Sequence, residues 1–265
     1  MGVILMFEHR FILNFTKYRF LLLELVKRDI SVKYRGSVLG IFWSFLNPLL
    51  QTIVMVVVFG YLFGRDIPNF PIYVLIGRLG FSFFSSATKG AMNSIKRGSS
   101  IMKKIYVPKY IYALSSILSE TVTLLLSMII LVLAMIVTNC PFSIYNIFSV
   151  LPVLFLFIFA MGCGLILSAI NVYFKDMAYL YGVFTQLLMY GCAIFYPISI
   201  LPESYHILFY ANPVFCAING FRDAILNGTF PEIFSLIYLI VISFIALGAG
   251  IIIFYKTQDK FILHI

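Results

Sequence analysis

The sequence contains few side chains at spacings that support catalysis. Its three histidines, His9, His206 and His264, are isolated from one another, and its four cysteines lack zinc-site spacing. It has no HExxH, GxSxG or paired-carboxylate motif, and no Gly-x-x-x-x-Gly-Lys-Ser/Thr loop that would cradle nucleotide phosphates. We therefore expect a chain that is not itself an enzyme, holds no metal or cofactor, and cannot hydrolyse ATP through such a loop.

One acid, Glu120, stands in the middle of a long apolar segment at residues 110–138. Ionisable groups at membrane depth are costly and often functional, so Glu120 could act as a proton relay. The alternative is a structural carboxylate that pairs with Lys89, Arg78 or the amides of a helix end. A single acid, without a chain of further acids, favours the structural role.

A short basic segment lies at residues 96–108, between two apolar stretches. Its charges could simply mark a loop on the cytoplasmic side of a membrane. However, Ile101, Met102, Ile105 and Tyr106 are spaced so that a short helix would present them on one apolar face. A segment that docks onto a cytoplasmic partner and transmits its motion would need such an apolar face.

Residues 81–88 (FSFFSSAT) mix aromatic rings with small hydroxyl groups. Small residues let helices approach closely, so tight helix packing is one explanation. The same mixture suits a pathway for sugars, because rings stack on sugar C–H surfaces while hydroxyl groups form hydrogen bonds. Rings near 190–196 could serve the pathway or an interfacial aromatic belt. The candidate channel aromatics are Phe81, Phe83, Phe84, Tyr190, Phe195 and Tyr196.

An unusually apolar chain positions these groups. Of its 265 residues, 62% are hydrophobic and 11% are charged, and the mean hydropathy is +1.03. Soluble domains have roughly 45–50% apolar and about 25% charged residues, which excludes a soluble enzyme, a nucleic-acid-binding domain and a disordered scaffold. The net charge of +9 arises from basic loops between apolar segments and indicates membrane topology, with no nucleic-acid partner.

Six segments have the roughly 20 apolar residues that a membrane-crossing helix needs. They lie at residues 37–63, 71–95, 110–138, 146–171, 178–197 and 232–255. Fifteen of the 19 basic residues fall on the side of both termini, and only Arg65 and Arg222 on the other, so both termini are predicted to be cytoplasmic. We expect an all-α integral membrane protein with an N-terminal segment at 1–36, six spans within 37–255 and a tail at 256–265.

Two further segments do not fit an ordinary span. Over residues 7–27 apolar side chains recur at steps of three and four, which predicts an amphipathic helix in the cytoplasmic interface, with an ordinary first span as the alternative. Residues 198–231 are apolar but broken at Pro202, Asn212-Pro213 and Asn227-Gly228. Non-helical backbone at membrane depth needs protein or water to satisfy it. We therefore predict two short helices in a re-entrant hairpin at the outer face.

Three groups of motifs occur along nearly the whole chain. The first comprises residues 25–30, 33–43 and 47–50 (LVKRDI, KYRGSVLGIFW and NPLL). The second comprises Phe83-Phe84, Ser94-Ile95, residues 103–108 (KKIYVP) and Leu114-Ser115. The third comprises Lys175-Asp176, Gln186, Tyr190, Tyr196-Pro197, Pro202, Asn212-Pro213 and Arg222. Together they resemble the permease subunit of type-2 ABC transporters that export polysaccharides such as O-antigen, capsule and wall teichoic acid.

This resemblance implies a homodimer of six-span permeases in the bacterial inner membrane, assembled with two ATP-binding-cassette ATPase subunits. ATP and Mg²⁺ would belong to those partners. The permeases would share a channel for a lipid-diphosphate-linked glycan, which enters through a lateral gate beside the amphipathic helix. Arg28, Lys33 and Arg35 are candidates for contact with the diphosphate, because guanidinium and ammonium groups bind phosphate oxygens strongly. Anchoring at the membrane surface is the alternative role.

The resemblance also implies two moving parts. Residues 96–108 would couple to the ATPase, with candidate contacts at Lys96, Arg97, Ile101, Lys103, Lys104 and Tyr106. The hairpin at 198–231 would gate the exit, with Pro197, Asn212, Pro213 and Arg222 as gate residues. The chain departs from the family pattern at two places. After the glycine of span two the family usually has a Leu and a Pro-Trp or similar pair, where this chain has Gly77-Arg78-Leu79-Gly80-Phe81. Lys175 stands where Arg is commoner.

Two other functions stay open at this point. A proton-coupled flippase for lipid-linked sugars would need no ATPase and would depend on Glu120. A membrane-embedded glycosyltransferase or acyltransferase would need a polar catalytic constellation, which the sequence does not contain.

Overall fold

A computed structural model describes the backbone of residues 2–64, 67–103 and 107–261, with side chains from residue 17 onward. All regular elements in these ranges are helical. The main helices are α1 (Gly2–Tyr34), α2 (Trp43–Phe63), α3 (Phe70–Met102), α4 (Tyr110–Val137), α5 (Val150–Tyr173), α6 (Met177–Tyr190), α7 (Glu203–Tyr210), α8 (Pro213–Arg222) and α9 (Ile233–Thr257).

Five helical segments in the described ranges are long and apolar enough to cross a membrane. They are Gly40–Phe63, Phe70–Met102, Tyr110–Val137, Ile144–Tyr173 and Ile233–Lys260, and they correspond to five of the six predicted spans. The predicted span at 178–197 is not among them, because α6 has only 14 residues. At 1.5 Å per residue it extends about 21 Å, less than the roughly 30 Å of a hydrocarbon core.

The central helix of the bundle is α3, which packs most extensively against α4 and α5. The side chains of Ile72, Val74, Ile76 and Ile95 along it are fully buried. By contrast, α2 and α9 bury little of their surface within the chain. Their exposed Val, Ile and Phe side chains match the apolar faces that membrane helices present to lipid or to other helices.

The helices α5 and α9 approach closely where Gly162 faces Ala246 and Gly250. A Cβ atom added at Gly162 would overlap the backbone of Ala246 and Leu247. Because Gly162 has no side chain, the two helices can lie this close together. Small residues commonly allow such close contact between membrane helices.

Two predicted boundaries were wrong. The first helix is not confined to residues 7–27 but extends over Gly2–Tyr34, and it packs Leu22, Leu25 and Val26 against the bundle. Residues 96–102 do not belong to a separate loop, because α3 continues to Met102. Gly98 lets this last part of α3 lie close to α4, because a Cβ atom there would lie 2.6 Å from the ring of Tyr112.

The segment at 198–231 contains the two short helices expected, α7 and α8. Breaks also occur where predicted: α7 begins after Pro202, and Asn212 caps α8 by accepting a hydrogen bond (3.0 Å) from the Val214 amide. After α8 a π-helical turn ends at Gly228, whose φ of 60° is a conformation that favours glycine. We call this region, together with residues 190–197, the hairpin end of the bundle.

Candidate functional site

A cavity of about 430 Å³, lined by many polar side chains, lies between the end of α1 and the helices α2, α3 and α4. Each of the last three helices contributes residues at helical spacing, so that one polar stripe per helix faces the same space. The stripes are Trp43, Asn47 and Gln51 on α2; Arg78, Ser82 and Ser86 on α3; and Glu120, Thr123 and Ser127 on α4. Such a concentration of polar groups inside apolar helices makes this cavity the candidate functional site.

Glu120 lines the cavity and is paired, but not with either cation that the sequence suggested. Its carboxylate accepts hydrogen bonds of 2.9 and 3.1 Å from the Lys33 ammonium group. Arg78 and Lys89 were therefore the wrong partners, because α1 extends far enough to deliver Lys33 to α4. The pair supports the structural role for this acid.

Arg78 also lines the cavity, and it makes no ion pair or hydrogen bond with any residue that the structure describes. Its Nε is buried and has no acceptor among those residues. Because the Lys33 charge is balanced by Glu120, Arg78 is left as the net positive charge of the site.

The three predicted headgroup residues lie along one turn and a half of α1 and the chain just beyond it. Arg28 is held by Asp29, with Nη2 and Nε at 2.8 and 3.2 Å from its Oδ1. Lys33 is bound to Glu120 as described, and Arg35 is exposed just after α1 ends. The structure thus brings only Lys33 of the three into the cavity.

The predicted channel rings fall into two separate groups. On α3 all three rings are buried, and of these only Phe83 lines the cavity. Phe84 stacks on Phe159 with centroids 5.5 Å apart. At the hairpin end, Phe195 contacts the rings of Tyr190 and Tyr196 at centroid distances of 5.9 and 5.5 Å. It also stacks on Phe59 of α2 at 4.6 Å.

The backbone is not helical directly after α6, so its carbonyl groups there lack helical hydrogen bonds. Side chains from other parts of the chain donate hydrogen bonds to them instead. Arg222, which is 3% exposed, donates from Nη2 to the carbonyl oxygens of Ala193 (3.0 Å) and Ile194 (3.1 Å). Asn212 donates from Nδ2 to the Gly191 carbonyl at 3.0 Å. Two of the predicted gate residues therefore hold this non-helical segment in place, with Pro197 at its end and Pro213 at the first position of α8.

Tyr73 completes this arrangement and was missed by the sequence analysis. Its hydroxyl donates to the carbonyl oxygens of Ala193 (3.1 Å) and Tyr196 (2.9 Å), while its ring lies 3.5 Å from the Arg222 guanidinium carbon. No local pattern singles out Tyr73, since the contacts span more than a hundred positions of sequence. Trp43 and Asn47 belong to the first motif group but were assigned no role in a site, and Gln51 was missed, although their spacing of four residues is visible in the sequence.

The predicted coupling residues lie at the opposite end of the bundle. Lys96 donates to Oδ1 of the buried Asn171 (3.2 Å), and Arg97 donates to the Gly90 carbonyl (2.7 Å), so both are engaged within the chain. Ile101 packs against the core and Lys103 is exposed. Lys104 and Tyr106 lie outside the described residues.

The adjoining Lys109 binds the carboxyl end of α9. Its ammonium group donates to the Gln258 carbonyl and lies over the Phe261 ring. Burial lowers the pKa of Lys109 below its ordinary value, and nearby Asp259 partly offsets that effect. Across the described part of the chain, no group of three or more His, Cys, Asp or Glu side chains could hold a metal ion.

Comparison with known sequences gives a consistent result. The sequence model of the ABC-2 type transporter family matches residues 21–226. The O-antigen export system permease protein RfbA of Myxococcus xanthus is 30% identical over 255 residues, covering 95% of this chain and 98% of that protein.

Two further relatives cover similar lengths. RfbA of Klebsiella pneumoniae is 27% identical over 91% of this chain and 93% of its own length. The polysialic acid transport protein KpsM of Escherichia coli is 26% identical over 89% of this chain and 92% of its own length.

Proposed function

The chain belongs to the ABC-2 type transporter family, and we propose that it is the permease subunit of an ATP-driven exporter that moves a lipid-linked polysaccharide across the bacterial inner membrane. Its homologues are permease components of O-antigen and capsule export systems. One structural observation carries the proposal furthest: a cavity lined by hydroxyl, amide and charged groups lies among helices that are otherwise apolar. A polar polymer needs such a lining to cross a membrane.

Six membrane crossings and cytoplasmic termini are part of the proposal. The helix α6 is too short to cross alone, so the non-helical segment that follows it would complete the crossing, and α7 and α8 would form the re-entrant hairpin. Support comes from the side chains of Arg222, Asn212 and Tyr73, which satisfy carbonyl groups of that segment. Irregular backbone at membrane depth requires such internal partners.

The proposed assembly is a homodimer of this chain with two ATP-binding-cassette subunits, which supply the ATP and Mg²⁺. Support for a second copy comes from the apolar faces on α2 and α6, where Tyr61 and Tyr179 are about four-fifths exposed (82% and 80%). Support for the ATPase contact comes from Lys103, which is exposed just after α3 at the end opposite the hairpin.

The proposed cargo enters beside α1, with its diphosphate near Arg28, Lys33 and Arg35. Arg35 is the best placed of these, because it is exposed and forms no ion pair within the described residues, whereas Arg28 and Lys33 are balanced by Asp29 and Glu120. At the other end, we propose that the hairpin and residues 191–197 act as one gate unit, joined by Arg222 and Asn212.

The test is to co-express this chain with an ATP-binding-cassette subunit encoded beside it, purify both in nanodiscs, and measure ATP turnover with and without lipid-linked glycan. We expect a complex of two permeases and two ATPases whose turnover changes when glycan is added. A chain that purifies alone and moves lipid-linked sugar under a proton gradient would contradict the proposal and favour the flippase.

A further inference from the structure

The charge balance of the cavity points to a missing negative partner. Lys33 and Glu120 neutralise each other, and Arg78 has no acidic neighbour within ion-pair distance among the described residues. A guanidinium group held away from bulk water is costly unless an anion or hydrogen-bond acceptors compensate it. Its planar set of donors is well suited to a carboxylate or a phosphate.

The groups around Arg78 suit a sugar. Ser82 and Ser86 follow it on α3 at one and two helical turns, and neither hydroxyl is engaged in a hydrogen bond within the described part of the chain. Asn47 and Gln51 face them from α2 and bind each other at 2.9 Å. These hydroxyl and amide groups can donate to and accept from sugar hydroxyls.

Trp43 provides an aromatic surface in the same cavity. It is the single tryptophan of the chain, and 42% of it is exposed, so a ligand in the cavity can reach the indole ring. A flat ring of this kind can cover the apolar face of a sugar while its N–H remains free to bond. The cavity volume of about 430 Å³ also lies in the range of small-ligand sites, about 300–1,000 Å³.

We propose that this cavity is a recognition site for an oxyanion of the transported glycan, with Arg78 as its ligand and Trp43 as the surface on which a sugar packs. The oxyanion is either a carboxylate on a sugar of the polymer or a phosphate of its lipid anchor. The inference rests on the proposed export function, since it names the chemistry that the permease recognises. Lys33, held by Glu120, marks the other end of the site.

Trp43 allows binding to be measured without any transport activity. The full-length chain, reconstituted in phosphatidylcholine vesicles, is titrated with trigalacturonate, with neutral maltotriose and with polyprenyl diphosphate, while Trp43 emission is recorded. We expect a saturable change with one or both anionic probes and a much weaker one with maltotriose. A response to trigalacturonate identifies a sugar carboxylate as the ligand, and a response to polyprenyl diphosphate alone identifies the lipid anchor.

The decisive variant is Arg78→Gln, which should weaken the anionic probe by about tenfold or more, the loss expected for a charge-assisted hydrogen bond. Arg78→Lys keeps the charge and should retain part of the affinity. If it does, the loss in Arg78→Gln is due to the missing charge and not to a folding defect at this position. Lys89→Gln is the matched control, because Lys89 is an exposed cation on the same helix outside the cavity lining, and it should bind like the wild type.

Two results of the fluorescence titration would overturn the inference: equal affinity in the wild type and Arg78→Gln, or no response of the wild type to either anion. Failure of the export function is measured separately, by ATP turnover of the assembled complex. Normal glycan-responsive turnover of the Arg78→Gln complex would overturn the oxyanion site while the exporter function stands. Loss of the complex with an intact Arg78-dependent fluorescence response would overturn the exporter and support the anion site.

Discussion

The ammonium group of Lys33 lies 2.9 Å from a carboxylate oxygen of Glu120, a residue 87 positions later in the chain. This contact joins the last turn of α1 to α4, next to the polar cavity. Because α1 is the element proposed to border the lateral gate, the pair links the position of that helix to the wall of the candidate glycan site.

Removing either partner should loosen α1 from α4 by a small amount. Lys33 is 41% exposed, so the pair is screened, and we expect a coupling of at most about 1 kcal/mol. Melting temperatures of Lys33→Met, Glu120→Gln and the double variant, measured in the same detergent, would give the coupling. The exposed pair Lys27–Glu24 within α1 is the control and should show no effect on α1 docking.

Glu120→Gln also separates an exporter from a proton-driven flippase. A carboxylate that serves only to hold Lys33 can be replaced by an amide with partial loss, whereas a proton relay cannot. We expect ATP-driven glycan transport in vesicles to continue in Glu120→Gln and to be insensitive to a protonophore. A complete transport block in a folded variant would instead show that Glu120 carries protons.

Arg222→Met should destabilise the hairpin end strongly. It removes the donor to the buried Ile194 carbonyl, and an acceptor left unsatisfied costs about 1–3 kcal/mol. It also removes one of the two donors to the Ala193 carbonyl, which keeps its hydrogen bond from Tyr73. We expect a large drop in melting temperature of the purified chain. Lys256→Met, which removes an exposed cation at the end of α9, is the control and should melt like the wild type.

Gly77→Val tests the same contact from the other side. A Cβ atom at Gly77 would lie 2.8 Å from Nη2 of Arg222 and 3.1 Å from Cγ2 of Ile194, so it would displace the guanidinium group. The effects of Gly77→Val and Arg222→Met should therefore be less than additive. Gly182→Ala on α6 is the control, since a Cβ there meets no atom within 4 Å. Full additivity would show that Gly77 and Arg222 act independently.

The sequence was sufficient for features that local chemistry determines. Each long apolar segment forms a helix over most or all of its length. Pro202 precedes α7, Asn212-Pro213 separates α7 from α8, and Gly228 ends the helical turn after α8, because these residues stop helices from continuing. These features depend on propensity and capping within a few residues, which a single sequence displays.

Features that depend on distant contacts could not be predicted. The partner of Glu120 is Lys33 because α1 extends to Tyr34, and neither fact is visible near Glu120 in the sequence. Likewise, α6 ends at Tyr190 although the sequence stays apolar beyond it. The non-helical backbone that follows is stabilised because Arg222 and Tyr73 donate hydrogen bonds to its carbonyl groups. That Phe83 lines the cavity while Phe81 and Phe84 do not also depends on the neighbouring helices.

ATP-driven motion would enter at the end of the bundle opposite the hairpin. Lys103 is exposed at the end of α3, and this helix continues without a break through Lys96 and Arg97 to the cavity wall at Ser86 and Arg78. A force applied at Lys103 would thus reach the cavity along one rigid helix. We expect charge reversal at Lys103 and Lys104 to weaken co-purification of the ATPase, because a basic surface would become acidic.

Lys175→Glu is the matched control for that experiment, since Lys175 is an exposed lysine in the turn between α5 and α6 at the same end of the bundle. It changes the net charge in the same direction without altering the end of α3. If the double reversal reduces ATPase recovery and Lys175→Glu does not, the contact is local to α3. Equal recovery in all three proteins would remove this segment from the ATPase interface, and equal loss in both variants would show that total charge, not the end of α3, governs assembly.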